Sequence, residues 1–376
     1  MQLSRDEFTR YKRQIIIPEI GVEGQEKLKN AKVLVVGAGG LGCPVIMYLS
    51  SMGIGHLGVI DFDFVDISNI HRQILYTYED IDKPKCLVVE EKIKKVNPNI
   101  NIYTYFTRLN KDNAISIISN YDIVVDCSDN FPTKFLINDA CVILNKPFVF
   151  GAVEKFEGHV SVFNYKNGPT YRCFLNEEPD PFEIPTCSEA GILGVIPGII
   201  GTIQATETVK IILNKGEVLS GKIMVINFLN NEYYFFDIKR DDNVANITEL
   251  KDYYETCNYD DTGIKKISIE KLFEKINNNQ DIQLIDVRDE NEIDFKLPNS
   301  QNIPLYKLHE LRAKIDTNKE VIFYCNYGIK SVIAVKYLEK KFNYKNLYVL
   351  SDGLSLIKLN LSKVKNPNLE EYFSKK

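Results

Sequence analysis

The stretch Ala31-Lys-Val-Leu-Val-Val-Gly37-Ala-Gly-Gly-Leu-Gly42 decides the fold class of this chain. It begins with a short β-branched run, which is typical of a strand, and continues into a turn with G-x-G-x-x-G spacing. A helical stretch from Pro44 to Met52 and a second apolar run, His56-Leu-Gly-Val-Ile-Asp61, come next. Strand, helix and strand in this order predict a βαβ unit.

Two further apolar runs extend this pattern. Residues 121–126 and 146–150 each predict a buried strand, and helical patterns at 83–96 and 132–144 lie between the strands. Such alternation predicts a Rossmann-like α/β fold with a mostly parallel sheet covered by helices. The apolar residues 190–203 fall short of a membrane span and predict a buried helix instead.

The second half of the chain repeats the alternation on a smaller scale. Residues 241–262 are polar and lack periodicity, so we interpret them as a linker. After them come two helical patterns and three strand patterns, at residues 269–276, 283–287, 321–324, 332–341 and 347–350. We therefore expect two domains, residues 1–240 and a smaller α/β domain of residues 263–376. The length of 376 residues agrees, because single cores stop growing at about 250–300 residues.

Composition narrows the class of protein. The chain is 44% hydrophobic and 26% charged, which is enough apolar material for a core and too much for disorder. A net charge of −5 argues against nucleic acid as a partner. The start of the chain has no basic region followed by an apolar run, so we expect no signal peptide, no membrane association and a cytoplasmic location.

The glycine turn is suited to phosphate. Gly37, Gly39 and Gly42 stand where backbone N–H groups and the positive end of a helix can face an anion. Asp61 ends the next strand and can bind a ribose, which fits a NAD-dependent oxidoreductase as well as an ATP enzyme. Lys85 and Asp129 favour ATP, because cations over a triphosphate and a carboxylate for magnesium serve nucleotidyl transfer, whereas hydride transfer needs neither.

Several motifs then carry a family resemblance. They run from Arg10-Tyr-Lys-Arg13-Gln through the glycine turn, Asp61-Phe-Asp63, Ser68-Asn-Ile-His-Arg-Gln73 and Lys83-Pro-Lys85 to Ser128-Asp-Asn130. On these residues the first domain resembles the MoeB/ThiF family of ubiquitin-activating-type adenylyltransferases. The resemblance implies that the C-terminal Gly-Gly carboxylate of a small β-grasp sulfur-carrier protein attacks the α-phosphate of ATP, giving an acyl-adenylate and pyrophosphate.

The resemblance also implies roles for individual residues. Asp129 would carry magnesium, Arg72 would act on the phosphates, and Arg13 would reach into the site of a neighbouring subunit, which implies a homodimer. The residues expected around the nucleotide are Gly37, Gly39, Gly40, Gly42, Asp61, Asp63, Ser68, Asn69, Arg72, Gln73, Lys85, Asp129 and Asn130.

One family feature is missing. Members commonly hold a structural zinc with two C-x-x-C pairs, which here have become Thr170-Tyr-Arg-Cys173 and Asn243-Val-Ala-Asn246. One cysteine of four does not make a tetrahedral sulfur site, so we expect no zinc.

Cys325 begins the loop Cys325-Asn-Tyr-Gly-Ile-Lys-Ser331, between a predicted strand and a predicted helix. The helix N-terminus and Lys330 would stabilise a thiolate there, and we judge the position poorly placed for core packing, although a buried structural cysteine is the alternative. Together with Leu284-Ile-Asp-Val-Arg288 and Asn302-Ile-Pro-Leu, the loop resembles the rhodanese family. This chain has Lys330 where the family usually has Arg. The resemblance implies a persulfide on Cys325.

Cys187 lies in a loop rich in proline and acidic residues. In fused adenylyltransferase–rhodanese proteins a cysteine at this place is implicated in sulfur transfer, and an incidental cysteine is the alternative. We therefore expect adenylation followed by sulfur transfer to a thiocarboxylate, with a persulfide donor such as a cysteine desulfurase. The rival interpretations are an activating enzyme that makes only a thioester, a NAD-dependent oxidoreductase, and a scaffold whose second domain only binds partners.

Overall fold

The computed structural model describes residues 2–177, 191–251, 253, 263–293, 295–326, 328–351 and 353–354. These residues form two compact units, one made of residues up to 177 and from 191 to 253, and the other of residues from 263 onward. Cys187 lies outside the described residues.

The first unit contains nine helices and eight strands among its described residues. In chain order they are α1 (Arg5–Ile15), α2 (Gly21–Asn30), β1 (Lys32–Val36), α3 (Gly42–Met52), β2 (His56–Ile60), α4 (Lys85–Val96), β3 (Asn101–Tyr105), α5 (Ala114–Ile118), β4 (Ile123–Asp126), α6 (Phe131–Ile143), β5 (Phe148–Glu154), β6 (Glu157–Phe163), α7 (Tyr171–Phe174), α8 (Val195–Leu213), β7 (Lys222–Asn227), β8 (Glu232–Asp237) and α9 (Asp242–Ala245).

The eight strands form one sheet in the order β3-β2-β1-β4-β5-β6-β7-β8. The first five are parallel, which confirms the Rossmann-like expectation, and β6, β7 and β8 continue the sheet antiparallel. The antiparallel part follows from short connections, because only two residues separate β5 from β6 and one of them, Lys155, has a φ of 51°. A parallel crossover needs a dozen residues or more.

The core lies on both faces of this sheet. Along β1, Val33 and Val35 pack into one apolar cluster, while Leu34 and Val36 pack into another on the opposite face, as the two-residue period of a strand requires. The apolar stretch predicted as a buried helix becomes α8, which packs on α3, β5 and β6. Of the described helices, α8 alone is long and apolar enough to cross a membrane by length and composition, and half of its apolar window is buried inside the protein.

Part of the segment interpreted as a linker belongs to the first unit. Residues 242–245 form α9, and Leu250 and Tyr253 pack against the core cluster that contains Leu34. The hydroxyl of Tyr253 donates to Asp139 Oδ2 at 2.6 Å. Polar composition hid this packing, because the side chains here make caps and hydrogen bonds rather than a periodic apolar face. Residues 254–262 lie outside the described part of the chain.

The second unit is a smaller α/β domain, as expected. Its elements are β9 (Lys265–Ile267), α10 (Ile269–Asn277), β10 (Ile282–Asp286), β11 (Gln301–Asn302), α11 (Leu308–Leu311), β12 (Glu320–Tyr324), α12 (Ile329–Phe342) and β13 (Leu347–Leu350). The strands form a parallel sheet in the order β11-β10-β12-β13-β9. The sequence patterns missed β9 and β11, which have only three and two residues, too few to show alternation.

Candidate functional site

The glycine turn joins the end of β1 to the start of α3. Gly37 has a φ of +96°, and a Cβ there would lie 2.7 Å from the carbonyl oxygen of Cys127. A Cβ on Gly42 would lie 2.0 Å from the carbonyl oxygen of Gly37. Gly39 differs, because a Cβ there would meet only Gln73 Nε2, at 3.6 Å. Packing requires glycine at positions 37 and 42, whereas Gly39 leaves its backbone open to a ligand.

Asp61 fastens this turn to the end of β2. Its Oδ2 accepts the N–H of Ala38 at 2.7 Å, and its Oδ1 accepts the N–H of Asp63 at 2.8 Å. Burial raises the pKa of Asp61, while the charge of Lys85 and the two backbone donors act in the opposite direction. The carboxylate therefore organises the backbone at the place where the sequence predicts a ribose contact.

Residues 68–73 lie over the turn. Ser68 begins this segment in a 3₁₀ turn, where its N–H and hydroxyl both donate to Asp66 Oδ1. Its carbonyl accepts from Arg72 Nη1 at 3.0 Å, and the stem of Arg72 lies beside Gly40. Asn69 Nδ2 donates to Ser68 Oγ at 3.1 Å. These bonds fix the local conformation of the segment, and the stem of Arg72 places it beside the glycine turn.

Gln73 has a buried polar atom without a partner among the described residues. The residue is 4% exposed, and its Oε1 accepts no hydrogen bond from the residues that the structure describes. A buried amide oxygen without a partner costs about 1–3 kcal/mol, so such atoms are uncommon in folded proteins. Because its Nε2 lies beside the open position at Gly39, the amide is placed to bind what the turn binds.

Lys85 supplies a cation to the same region. It is the first residue of α4, is 4% exposed, and donates to Asp63 Oδ2 at 3.0 Å. Asp63 is itself half exposed. The ammonium of Lys85 is therefore buried at the edge of the site, and its expected contact with phosphate stays a prediction.

The loop after β4 carries Asp129 and Asn130. Asn130 caps α6 by accepting the N–H of Thr133 at 2.9 Å, and its Nδ2 donates to the exposed Asp129 at 3.3 Å. The described residues contain no group of three His, Cys, Asp or Glu that could hold a metal. One carboxylate still fits magnesium, which commonly binds through one or two carboxylates and the phosphates of its substrate.

Sequence reasoning missed Lys134, which fixes this loop. Its buried ammonium donates to Asp126 Oδ2 at 3.0 Å, to the carbonyl of Ser128 at 2.9 Å and to the carbonyl of Gly151 at 2.8 Å. A lysine near the start of a predicted helix resembles a solvated one, so the local sequence carries no signal for this role.

All these motifs lie at the carboxyl ends of β1, β2 and β4. The chain moves from β1 outward to β2 and β3, and then crosses to β4 and β5 on the other side. In open α/β sheets this reversal creates the crevice where ligands bind. Arg13 lies exposed in the last turn of α1, and its expected role in a neighbouring subunit's site stays a prediction.

The four positions of the family's zinc site lie where α7 and α9 meet. Cys173 Sγ accepts the N–H of Thr170 and the N–H of Asp241, each at 3.4 Å. Asn243 Nδ2 donates to Asp241, and Asn246 Nδ2 donates to the carbonyl of Asp242. One thiol and two donating amides do not fit a zinc ion.

We predict that the purified protein contains far less than one zinc per chain, because three of the four sulfur ligands are replaced. Elemental analysis of the full-length protein checks this, and a chelator should leave its melting temperature unchanged. About one zinc per chain would show that other residues hold the metal.

Cys325 directly follows β12, the central strand of the smaller sheet. Our expectation that this position is poorly placed for core packing is wrong, because Cys325 is 3% exposed and packs in an apolar cluster with Phe323. Its Sγ lies 3.6 Å from the hydroxyl of Ser331, across the loop. Because β12 has neighbouring strands on both sides, the residue that directly follows it also packs in the core, which explains the burial.

We expected the charge of Lys330 to stabilise a thiolate on Cys325, but the structure pairs Lys330 with two carboxylates. Its Nζ donates to Asp289 Oδ2 at 3.0 Å and to Glu292 Oε2 at 2.9 Å. Burial acts to lower the pKa of Lys330, but the two carboxylates outweigh it and the pKa is raised, so the ammonium stays charged. The loop's cation is therefore paired with acids.

Arg288 positions the residue after the cysteine. It is 1% exposed and forms a two-bond ion pair with Asp286, at 2.9 and 2.8 Å, while its Nη1 donates to Asn326 Oδ1 at 2.8 Å. The Asp-x-Arg motif thus anchors the start of the Cys325 loop, a role that the sequence pattern alone did not reveal.

Four other cysteines are core residues. Cys43, Cys86, Cys127 and Cys141 are buried, and burial raises the pKa of each thiol, in the case of Cys43 to about 12. A thiol with a raised pKa is a poor nucleophile at neutral pH.

Known proteins resemble this chain over both units. The ThiF family model matches residues 11–246, and the rhodanese-like domain model matches residues 268–360. Adenylyltransferase and sulfurtransferase MOCS3 of Culex quinquefasciatus is 38% identical, over 92% of this chain and 85% of the relative. Probable adenylyltransferase/sulfurtransferase MoeZ of Mycobacterium tuberculosis is 38% identical, over 94% of this chain and 93% of the relative.

Two further comparisons concern the first unit. Sulfur carrier protein adenylyltransferase of Thermus thermophilus is 45% identical, over 64% of this chain and 90% of the relative. A crystal structure of Escherichia coli MccB with MccA-N7isoASN matches with a TM-score of 0.56 at 22% identity, over 65% of this chain and 75% of that one, which shows a shared fold. The chain therefore belongs to the ThiF family, carries a C-terminal rhodanese-like domain, and is an adenylyltransferase and sulfurtransferase.

Proposed function

We propose that this enzyme uses ATP to adenylate the C-terminal Gly-Gly carboxylate of a small ubiquitin-like sulfur-carrier protein and then converts it to a thiocarboxylate with sulfur from a persulfide on Cys325. The observation that carries the first half is the open backbone at Gly39 beside Gln73, whose buried Oε1 has no hydrogen-bond partner among the described residues. Asp61 connects this turn to Asp63, which binds Lys85. The name of the Thermus relative, which specifies a sulfur carrier protein, supports the choice of substrate.

In the adenylation step a carboxylate oxygen of the carrier bonds to the α-phosphorus of ATP, and the bond to pyrophosphate breaks. Negative charge grows on the leaving pyrophosphate, where the ammonium of Lys85, the guanidinium of Arg72 and the N–H groups of the glycine turn stabilise it. Asp129 would hold magnesium, which neutralises phosphate charge when bound. Hydride transfer has no use for these groups, and the adenylyltransferase relatives remove the NAD-dependent alternative.

In the sulfur step the Cys325 thiolate attacks the terminal sulfur of a donor persulfide, and the donor thiolate leaves. The resulting persulfide attacks the acyl carbon, AMP leaves, and an acyl disulfide forms. A thiol then cleaves the S–S bond, releasing the thiocarboxylate and becoming oxidised to a disulfide that a cellular dithiol reduces. Cys187 either provides this thiol or first takes the acyl group as a thioester.

The proposal includes a homodimer, in which Arg13 reaches the nucleotide of the neighbouring subunit, and a protein donor such as a cysteine desulfurase. The exposed position of Arg13 in α1 supports the first part. An activating enzyme that makes only a thioester would not need Cys325, and the anchored loop around Cys325 favours sulfur transfer over it.

ATP–pyrophosphate exchange should require a carrier ending in Gly-Gly, together with magnesium. Asp129→Ala removes the metal carboxylate and Lys85→Ala removes a phosphate cation, so each should lower exchange by about 100-fold to 1,000-fold. Lys94→Ala, on the exposed face of the same helix as Lys85, and Asp112→Ala, in an exposed turn, are matched controls and should change it little. Unchanged exchange in Asp129→Ala defeats the assignment of that residue.

Two glycines of the turn should respond in opposite ways. Gly42→Ala places a Cβ against the carbonyl of Gly37 and should destabilise the fold by about 1–3 kcal/mol or more, as overpacking does. Gly39→Ala should keep the melting temperature but raise KM for ATP by on the order of tenfold, because its Cβ points into ligand space. Calorimetry and exchange kinetics separate the two effects. A Gly39→Ala variant with a normal KM for ATP would contradict the proposal that the glycine turn binds the phosphates.

The two reactive cysteines should separate by step. Adenylation needs no thiol, so Cys187→Ala and Cys325→Ala should both retain pyrophosphate exchange. Cys325→Ala should give neither thiocarboxylate nor sulfur transfer from thiosulfate to cyanide, whereas Cys187→Ala should keep the latter and slow the complete reaction. Mass spectrometry of the carrier measures the product, and thiocarboxylate formed at the normal rate by Cys325→Ala would make the second unit a binding module.

A further inference from the structure

The loop that carries Cys325 is braced at both ends by one neighbouring segment, residues 286–292. At its start, Arg288 donates to Asn326 at 2.8 Å. At its end, Lys330 donates to Asp289 and Glu292 at 3.0 and 2.9 Å. Loop and segment therefore share two contacts that involve charged side chains.

The contact of Lys330 with Asp289 and Glu292 carries a net negative charge. Lys330 is the only cation in the sequence of the seven-residue loop, and its side chain is 13% exposed. It faces two carboxylates, so the three groups together carry one negative charge. Glu292 Oε2 also accepts the N–H of Asp289 at 3.1 Å, which fixes the acids in place. Two of the three N–H donors of the Lys330 ammonium are engaged by these carboxylates, so an incoming anion meets a group of net negative charge rather than a lone cation.

Sulfane donors differ in the charge they bring to such a loop. Thiosulfate is a dianion, whereas a cysteine persulfide adds one negative charge at its reactive sulfur. Like charges raise the free energy of encounter, and the penalty grows with the charge of the donor. Asp289 and Glu292 outnumber Lys330, the only cation of the loop, and leave a net negative charge beside it. This charge should therefore repel thiosulfate more strongly than a persulfide.

We propose that Asp289 and Glu292 are specificity-determining residues, which neutralise Lys330 and so direct the Cys325 loop toward a singly charged cysteine persulfide rather than thiosulfate. This inference rests on the proposed role of Cys325 as the sulfur acceptor. With either donor the Cys325 thiolate bonds to the sulfane sulfur and the donor S–S bond breaks. Sulfite leaves from thiosulfate and a cysteine thiolate leaves from the persulfide, so no outside oxidant or reductant is needed.

The test is a charge series in the full-length protein. Asp289→Asn and Glu292→Gln remove one negative charge each, their combination removes two, and Lys330→Ala removes the cation. The double variant should raise kcat/KM for thiosulfate by on the order of tenfold, with the single variants between it and the wild type, and Lys330→Ala should fall below the wild type. With benzenethiosulfonate, a monoanion, the double variant should gain only roughly threefold.

The chain offers a matched control at the other end of β12. There Lys319 faces Asp281 at 2.6 Å and Asp316 at 3.9 Å, the same arrangement of one ammonium and two carboxylates. Asp281→Asn with Asp316→Asn removes equal charge and should leave both donors unaffected. Added salt should speed the wild-type reaction with thiosulfate and slow that of the Asp289/Glu292 double variant, because screening weakens repulsion in one and attraction in the other.

Loading of wild-type Cys325 by free cysteine persulfide separates this inference from the proposed function. A gain of one sulfur atom in the intact mass, absent in Cys325→Ala, supports the proposed function, and no gain from any donor refutes it. If Cys325 loads but the charge series leaves kcat/KM for thiosulfate unchanged, or the Lys319 control raises it equally, the selection by Asp289 and Glu292 is overturned. The single variants and the wild-type salt series decide the matter even if the double variant misfolds.

Discussion

The first unit depends on one close backbone approach, that of Gly42 to the carbonyl oxygen of Gly37. No side chain fits between them, since a Cβ on Gly42 would lie 2.0 Å from that oxygen. The approach brings α3 directly onto the end of β1, so that the turn between them is tight and the backbone of Gly39 is left open to a ligand. Asp61 then binds the turn to β2, and the segment of residues 68–73 lies against it. This contact thus shapes the crevice that the reversal of strand order creates.

The two units fix a loop at the end of a strand by the same kind of interaction. In each, a loop that carries predicted site residues leaves the carboxyl end of a parallel strand. A buried cation, paired with the carboxylate at a strand end, fixes that loop: Lys134 with Asp126, and Arg288 with Asp286. Buried pairs of this kind contribute little net stability when intact, but removal of one partner commonly costs about 3–5 kcal/mol. Their value here is geometric, because each cation also holds loop atoms, the carbonyl of Ser128 in one case and the amide of Asn326 in the other.

The sequence predicted the elements with strong periodicity and missed what depends on distant contacts. The βαβ unit around residues 31–61 and the strand at 347–350 were predictable, since a single local pattern determines each. The burial of Cys325 was not, because it depends on β12 having neighbours on both sides, which is a property of the sheet order. The pairing of Lys330 with Asp289 and Glu292 joins residues about 40 positions apart, and local spacing carries no trace of it. Leu250 and Tyr253 show the converse, because the polar composition around them concealed their packing against the core.

The central claim is that one enzyme both activates a carboxylate and replaces its oxygen with sulfur. The most direct measurement is the intact mass of a β-grasp carrier ending in Gly-Gly after incubation with the enzyme, magnesium, ATP and cysteine persulfide, beside the same carrier lacking its last glycine. The account predicts that the intact carrier gains the mass difference between sulfur and oxygen only when ATP is present, and that the shortened carrier stays unchanged. An intact carrier that ends as a stable thioester on the enzyme, with no thiocarboxylate released, would contradict it.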